Sequence, residues 1–74
     1  MPRPIQLKDV LKALKKQGFF FVSQKGSHAK FRNYGTPSRT VIVKTTKKEI
    51  PHGTLQSIVL QSGIKEIEFR NKKT

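Results

Sequence analysis

The side chain best suited to moving a proton is His28, which follows Gly26-Ser27 and has Lys25, Lys30 and Arg32 nearby in the chain. A neutral imidazole accepts a proton near neutral pH, and neighbouring cations disfavour its protonated form. The same cations suit a phosphate. RNA carries its own nucleophile, the 2′-hydroxyl. An imidazole beside a bound phosphate can deprotonate that hydroxyl for in-line attack and leave a 2′,3′-cyclic phosphate. Lys25, Lys30 or Arg32 would then stabilise the charge that builds on the phosphorus oxygens. The plainer role for His28 is an exposed strand residue, or a phosphate contact without catalysis. Ser27 reads as a turn residue that orients substrate or donates to phosphate, since no acid completes a triad with it. Tyr34 is suited either to stacking on a base or to packing at a sheet edge. His52, beside Gly53, reads as a capping or loop residue.

The charge distribution narrows the chemistry. Sixteen Lys and Arg against four Asp and Glu give the 74-residue chain a net charge of +12. The acids are Asp9, Glu49, Glu66 and Glu68, so the stretch from Val10 to Lys48 holds ten basic residues and no carboxylate. Two-metal phosphodiester hydrolysis needs clustered carboxylates around a hard cation, and that stretch supplies none. Without cysteine there is neither a disulfide scaffold nor a thiolate zinc site. No cofactor is expected. The charge exceeds what solubility asks of a small domain and points to a polyanion such as RNA.

These residues need a scaffold, and the chain has the length of a single domain spanning residues 1–74. Leu7, Val10, Leu11 and Leu14 form one face of a helix that stops at Gly18, with Lys15 and Lys16 in its last turn. Phe19–Gln24 is aromatic and β-branched and reads as a strand, with Phe19 and Phe21 on one face and Phe20 on the other, a cluster that core packing mostly explains with one Phe left exposed. His28–Tyr34 alternates: Ala29, Phe31 and Asn33 point one way, His28, Lys30, Arg32 and Tyr34 the other. Gly35-Thr36-Pro37-Ser38 marks a turn before a third strand at Arg39–Val43. Lys44–Glu49 reads as a polar loop. Pro51, Gly53 and Thr54 precede a second helix that carries Leu55, Ile58 and Val59 and stops at Gly63. Ile64–Phe69 suits either a short helix or a strand, and Asn71–Thr74 a frayed basic tail. The expectation is an α+β fold, with an antiparallel meander covered on one face by both helices. That layout is similar in topology to the double-stranded RNA-binding domain. The longest apolar run, Phe19–Val22, is too short to span a bilayer, and Met1-Pro2-Arg3-Pro4 does not open a signal peptide, so a cytoplasmic location is expected.

Beyond these individual readings, the sequence resembles a known family. The helix Leu7-Lys8-Asp9-Val10-Leu11-Lys12-Ala13-Leu14-Lys15-Lys16 runs through Gln17-Gly18-Phe19 to Gln24-Lys25-Gly26-Ser27-His28. After the third strand come Glu49-Ile50-Pro51-His52-Gly53-Thr54-Leu55-Gln56-Ser57-Ile58 and Gln61-Ser62-Gly63-Ile64. Together these resemble the HicA, or YcfA-like, toxins of toxin–antitoxin modules, from about Leu7 to Phe69. The resemblance implies a double-stranded RNA-binding-like fold, cleavage of mRNA, a catalytic His at His28, and a HicB antitoxin that masks the active site. An acidic surface on that partner would complement the charge of this chain. Two positions depart from the family pattern. Ser23 stands where many members have a basic residue, and Thr45 lies near where many have a second His. The leaving 5′-oxygen would then take its proton from Lys, water or His52. The functions to separate are a metal-independent endoribonuclease toxin, a non-catalytic RNA-binding module on the same face, and a protein that serves mainly a protein complex.

Overall fold

The computed structural model describes residues 4–70, so the expected basic tail at 71–74 and the start at 1–3 lie outside the described residues. The elements are β1 (Ile5–Gln6), α1 (Leu7–Lys16), β2 (Phe20–Lys25), β3 (His28–Asn33), β4 (Arg39–Lys44), β5 (Glu49–Ile50), α2 (His52–Ser62) and α3 (Glu66–Arg70). The architecture is α+β. An antiparallel sheet of order β2-β3-β4 is flanked by helices, consistent with a double-stranded RNA-binding-like fold.

The first helix forms where its apolar stripe predicts. Val10 and Leu14 are fully buried, Ala13 is buried beside them, and Leu7 and Leu11 pack half-buried against the core. Gly18, at φ +91°, lets the chain reverse so that the Phe19 amide reaches back to the Leu14 carbonyl at 2.9 Å. Phe19 then enters the core rather than the sheet. From β4, Val41 and Val43 face the helices and are fully buried, where they meet Leu55 and Ile58 of α2. Phe69 of α3 closes the same core, which settles the ambiguous C-terminal segment as a helix.

Three expectations need correction. Only Phe19 of the three consecutive phenylalanines is buried: helix α2 packs over β4 and not over β2, so Phe20 and Phe21 are exposed. Lys44–Glu49 is not all loop. Lys44 ends β4, and Glu49–Ile50 pairs with Ile5–Gln6, burying Ile5 against Ile50 where two residues per strand left no readable alternation. Finally, α2 begins at His52 instead of after Thr54, with the Leu55 amide donating to the Pro51 carbonyl at 3.0 Å. Among the described residues no helix is long and apolar enough to cross a membrane.

Leu14 has no exposed surface, whereas Leu60 on the outside of α2 is 80% exposed. Leu14→Ala is expected to lower unfolding free energy by about 2–5 kcal/mol in urea titrations. Leu60→Ala should change it by less than about 0.5 kcal/mol.

Candidate nucleic-acid interface

Side chains alternate across a strand, so burial of Ala29 and partial burial of Phe31 send His28, Lys30 and Arg32 to the opposite face. On β4 the burial of Val41 and Val43 sends Thr40, Ile42 and Lys44 the same way. On β2 simple alternation would put Ser23 and Lys25 on the face of Phe21, which pairs with Phe31. A register shift between Phe21 and Ser23 prevents this: Phe20 and Phe21 pair with Arg32 and Phe31, while Ser23 and Lys25 pair with Lys30 and His28. Val22 is the extra residue of a β-bulge, and the bulge turns the end of β2 over.

The uncovered face is therefore built in three rows. Lys25, His28 and Lys44 form the first, Ser23, Lys30 and Ile42 the second, and Phe20, Arg32 and Thr40 the third. Directly opposed residues stand about 4.5–5.5 Å apart at Cβ, so His28 has a lysine on each side. Ser23, Lys25, His28, Lys30 and Ile42 line an open depression of about 490 Å³. Among the described residues none of these lysines forms a salt bridge; the one ion pair there joins Arg70 to Glu66 on α3. Unneutralised cations around an imidazole are what an anionic ligand needs.

The hairpin that delivers His28 is fixed locally. Gly26 and Ser27 are the two loop residues between the paired Lys25 and His28. Gly26 has φ +59°, and Ser27, like every described non-glycine residue, does not have positive φ. Glycine with positive φ at the first loop position is the requirement of a type II′ hairpin turn. Nothing crowds the space where a Gly26 side chain would stand, so the demand is on backbone conformation alone. Beyond β4, Thr45 clamps the turn: its amide and its hydroxyl both donate to the Ser27 carbonyl, at 2.7 and 3.1 Å. The Gln24 amide donates to the Thr45 hydroxyl at 3.3 Å and to the Gly26 carbonyl at 3.2 Å.

The sequence-predicted residues thus divide. His28, Lys25 and Lys30 meet around one depression. Gly26 and Ser27 shape its rim, with the Ser27 carbonyl engaged by Thr45. Arg32 lies one row away, its Nε donating to the Thr40 hydroxyl at 3.3 Å. Tyr34 is exposed beyond the end of β3, with Arg32 and Phe20 beside its ring. His52 is not brought to the site. It sits in the helical layer, where Arg70 Nη2 lies 3.4 Å from His52 Nδ1, and since a guanidinium only donates, that nitrogen accepts. Arg70 also binds Glu66 at 2.8 Å, and Gln56 donates to the other Glu66 oxygen at 2.6 Å. The hydrogen bonds from Arg70 and then Gln56 hold the Glu66 carboxyl below its ordinary value of 4.5, against a smaller opposing effect of burial. Sequence reading missed Lys44 and the contribution of Ser23. Counting the register of the β3–β4 hairpin back from its turn would have found Lys44 opposite His28.

A family model described as the HicA toxin of bacterial toxin-antitoxin systems matches residues 7–64, a span that includes all three rows and the Thr45 clamp. The chain belongs to the HicA toxin family. No curated protein matches it closely enough to count as a relative. As a HicA toxin it is the toxin component of a toxin–antitoxin module and has an antitoxin as partner. Helix α3, with Glu66 and Arg70, lies outside the matched span.

Two outcomes follow from these contacts. Thr45→Val keeps the shape of the side chain and removes its hydroxyl. It is expected to cost about 1 kcal/mol of stability and to speed hydrogen exchange at the β2–β3 turn, measured by NMR. Glu66 titrates lower in the folded than in the unfolded chain, so its stabilising contribution is complete above pH 4.5 and is lost as pH falls through the folded value. The melting temperature should therefore fall more steeply below that pH in the parent protein than in Glu66→Gln.

Proposed function

We propose that this HicA toxin is a metal-independent endoribonuclease that cleaves mRNA, with His28 as its general base. The observation that carries the reading is the row Lys25-His28-Lys44, an exposed imidazole between two cations on the sheet face that no helix covers. The scissile phosphate sits against Lys25, Lys30 and Lys44, which neutralise it. An imidazole nitrogen of His28 takes the proton of the adjacent 2′-hydroxyl. The freed 2′-oxygen attacks phosphorus, the bond from phosphorus to the 5′-oxygen breaks, and the products are a 2′,3′-cyclic phosphate and a 5′-hydroxyl. Lysine ammonium groups stabilise the charge of the pentacovalent state.

The leaving oxygen needs a proton. His52 is held by Arg70 in the helical layer, which leaves the lysines around the depression, water or the newly protonated His28 as donors. Ser23 and the Gly26-Ser27 turn border the same phosphate. For the antitoxin, the reading is a HicB-type protein whose acidic surface covers the Lys25-His28-Lys44 row and competes with RNA for the same charges.

The test is incubation of purified toxin with single-stranded RNA in EDTA, beside His28→Ala. The parent is expected to cut and leave cyclic-phosphate ends, and the variant to be slower by about 10²–10⁴-fold while binding RNA normally. Equal degradation by both would expose a contaminating nuclease. Binding without cleavage by the parent would leave a non-catalytic RNA-binding module as the better account.

A further inference from the structure

The far end of the uncovered face differs from the His28 end. Phe20 and Tyr34 lie with ring centroids 5.4 Å apart at an interplanar angle of 45°, and the Arg32 guanidinium carbon stands 5.9 Å from the Tyr34 centroid. These rings are not core residues that strayed outward: Phe20 is 45% exposed and Tyr34 69% exposed. Two aromatic rings and a guanidinium on an open sheet, continuous with the rows that carry Lys30, Lys25 and Lys44, match the way flat sheets take unpaired bases. Arg32 contributes charge beside the ring and a planar group on which a base can also lie.

We infer that Phe20, Arg32 and Tyr34 form a base-stacking subsite that restricts this toxin to single-stranded RNA, a reading that rests on the proposed RNA-binding role of the same face. A base inside a duplex has both faces covered by its neighbours and offers none to Tyr34. Arg32 and Tyr34 lie four and six residues along the chain from His28, about 13–20 Å at the rise of an extended strand. The stacked base therefore belongs to a nucleotide a few positions removed from the cut, and the subsite sets the register of the strand rather than touching the reacting atoms. Stacking accepts any base, so the subsite selects unpaired RNA without dictating its sequence.

Tyr34 is the single tyrosine and the chain has no tryptophan, so intrinsic fluorescence reports this ring alone. The probe is a short, fully 2′-O-methylated oligouridylate, which lacks the nucleophile and cannot be cut. Its controls are the same backbone with abasic residues and its duplex with oligoadenylate. The base-bearing single strand is expected to quench Tyr34 emission, and the abasic strand and the duplex to leave it unchanged. Followed by anisotropy, Tyr34→Ala should bind the oligouridylate about 10-fold more weakly, with Tyr34→Phe restoring the affinity and Phe20→Ala intermediate. Circular dichroism of each variant confirms folding. Equal affinity for abasic and base-bearing strands, duplex binding as tight as single-strand binding, or unquenched emission from a bound strand would overturn the inference. So would emission that responds only to an antitoxin, which would make these rings a protein contact. Intact natural RNA alongside a quenched Tyr34 would instead sink the cleavage reading and uphold this one.

Discussion

Ala29 is the residue on which the uncovered face depends. It is buried and paired with Val43, itself fully buried, and this pairing fixes the register of β3 on β4. A slip of β3 by one residue would send His28 and Lys30 into the apolar core and bring Ala29 and Phe31 to water. The free energy that specifies the site is thus in large part the ordinary hydrophobic burial of its neighbours, to which the Gly26-Ser27 turn and its Thr45 clamp add. Position by position, the core sets the alternation, the alternation sets the rows, and the rows set which cations surround His28.

The edge strand β2 is not held by the core in this way, since Phe20, Phe21 and Val22 are all at least 40% exposed. Its orientation comes from β3 and from the bulge at Val22. On the uncovered face the resulting pairs break the usual preference for opposite charges across strands: Lys25 and Lys44 flank one imidazole, and Lys30 stands in the next row. A local arrangement that opposes folding and has no compensating carboxylate is expected at a binding site rather than in a scaffold. The helical layer makes the opposite choice. There Glu66 is bound by both Arg70 and Gln56, and His52 lies against the same guanidinium.

The contrast explains what could be read in the sequence. The stripe on α1 and the alternation of β3 are periodic and long enough to show which side of each element meets the core, and from them His28, Lys30 and Arg32 follow. Lys44 is at the far end of β4 and looks like the start of a polar loop until the hairpin register is counted through a turn of unknown length. The bulge at Val22 has no signal, because Phe20, Phe21 and Val22 suit a strand equally well in either register. The pairing of Ile5 with Ile50 joins segments more than forty residues apart. Thr45 carries the least visible role. Its hydroxyl and amide both close on the Ser27 carbonyl, a contact that exists only once three strands are assembled.

With the rows in place, the face has a direction. One end gathers Lys25, Lys44 and His28; the other carries Phe20, Arg32 and Tyr34. A nucleic-acid strand laid along β3 would meet charge at the first end and ring surface at the second, which the inferred stacking subsite would reserve for a single strand. The depression around His28 is open, so on this reading a phosphate there would be positioned from a distance by the stacked nucleotide. An acidic antitoxin could neutralise the first end without filling the second. On the proposed reading the two ends place different demands on two partners: RNA would need charge and rings together, whereas an antitoxin would need to cover only the cations around one imidazole.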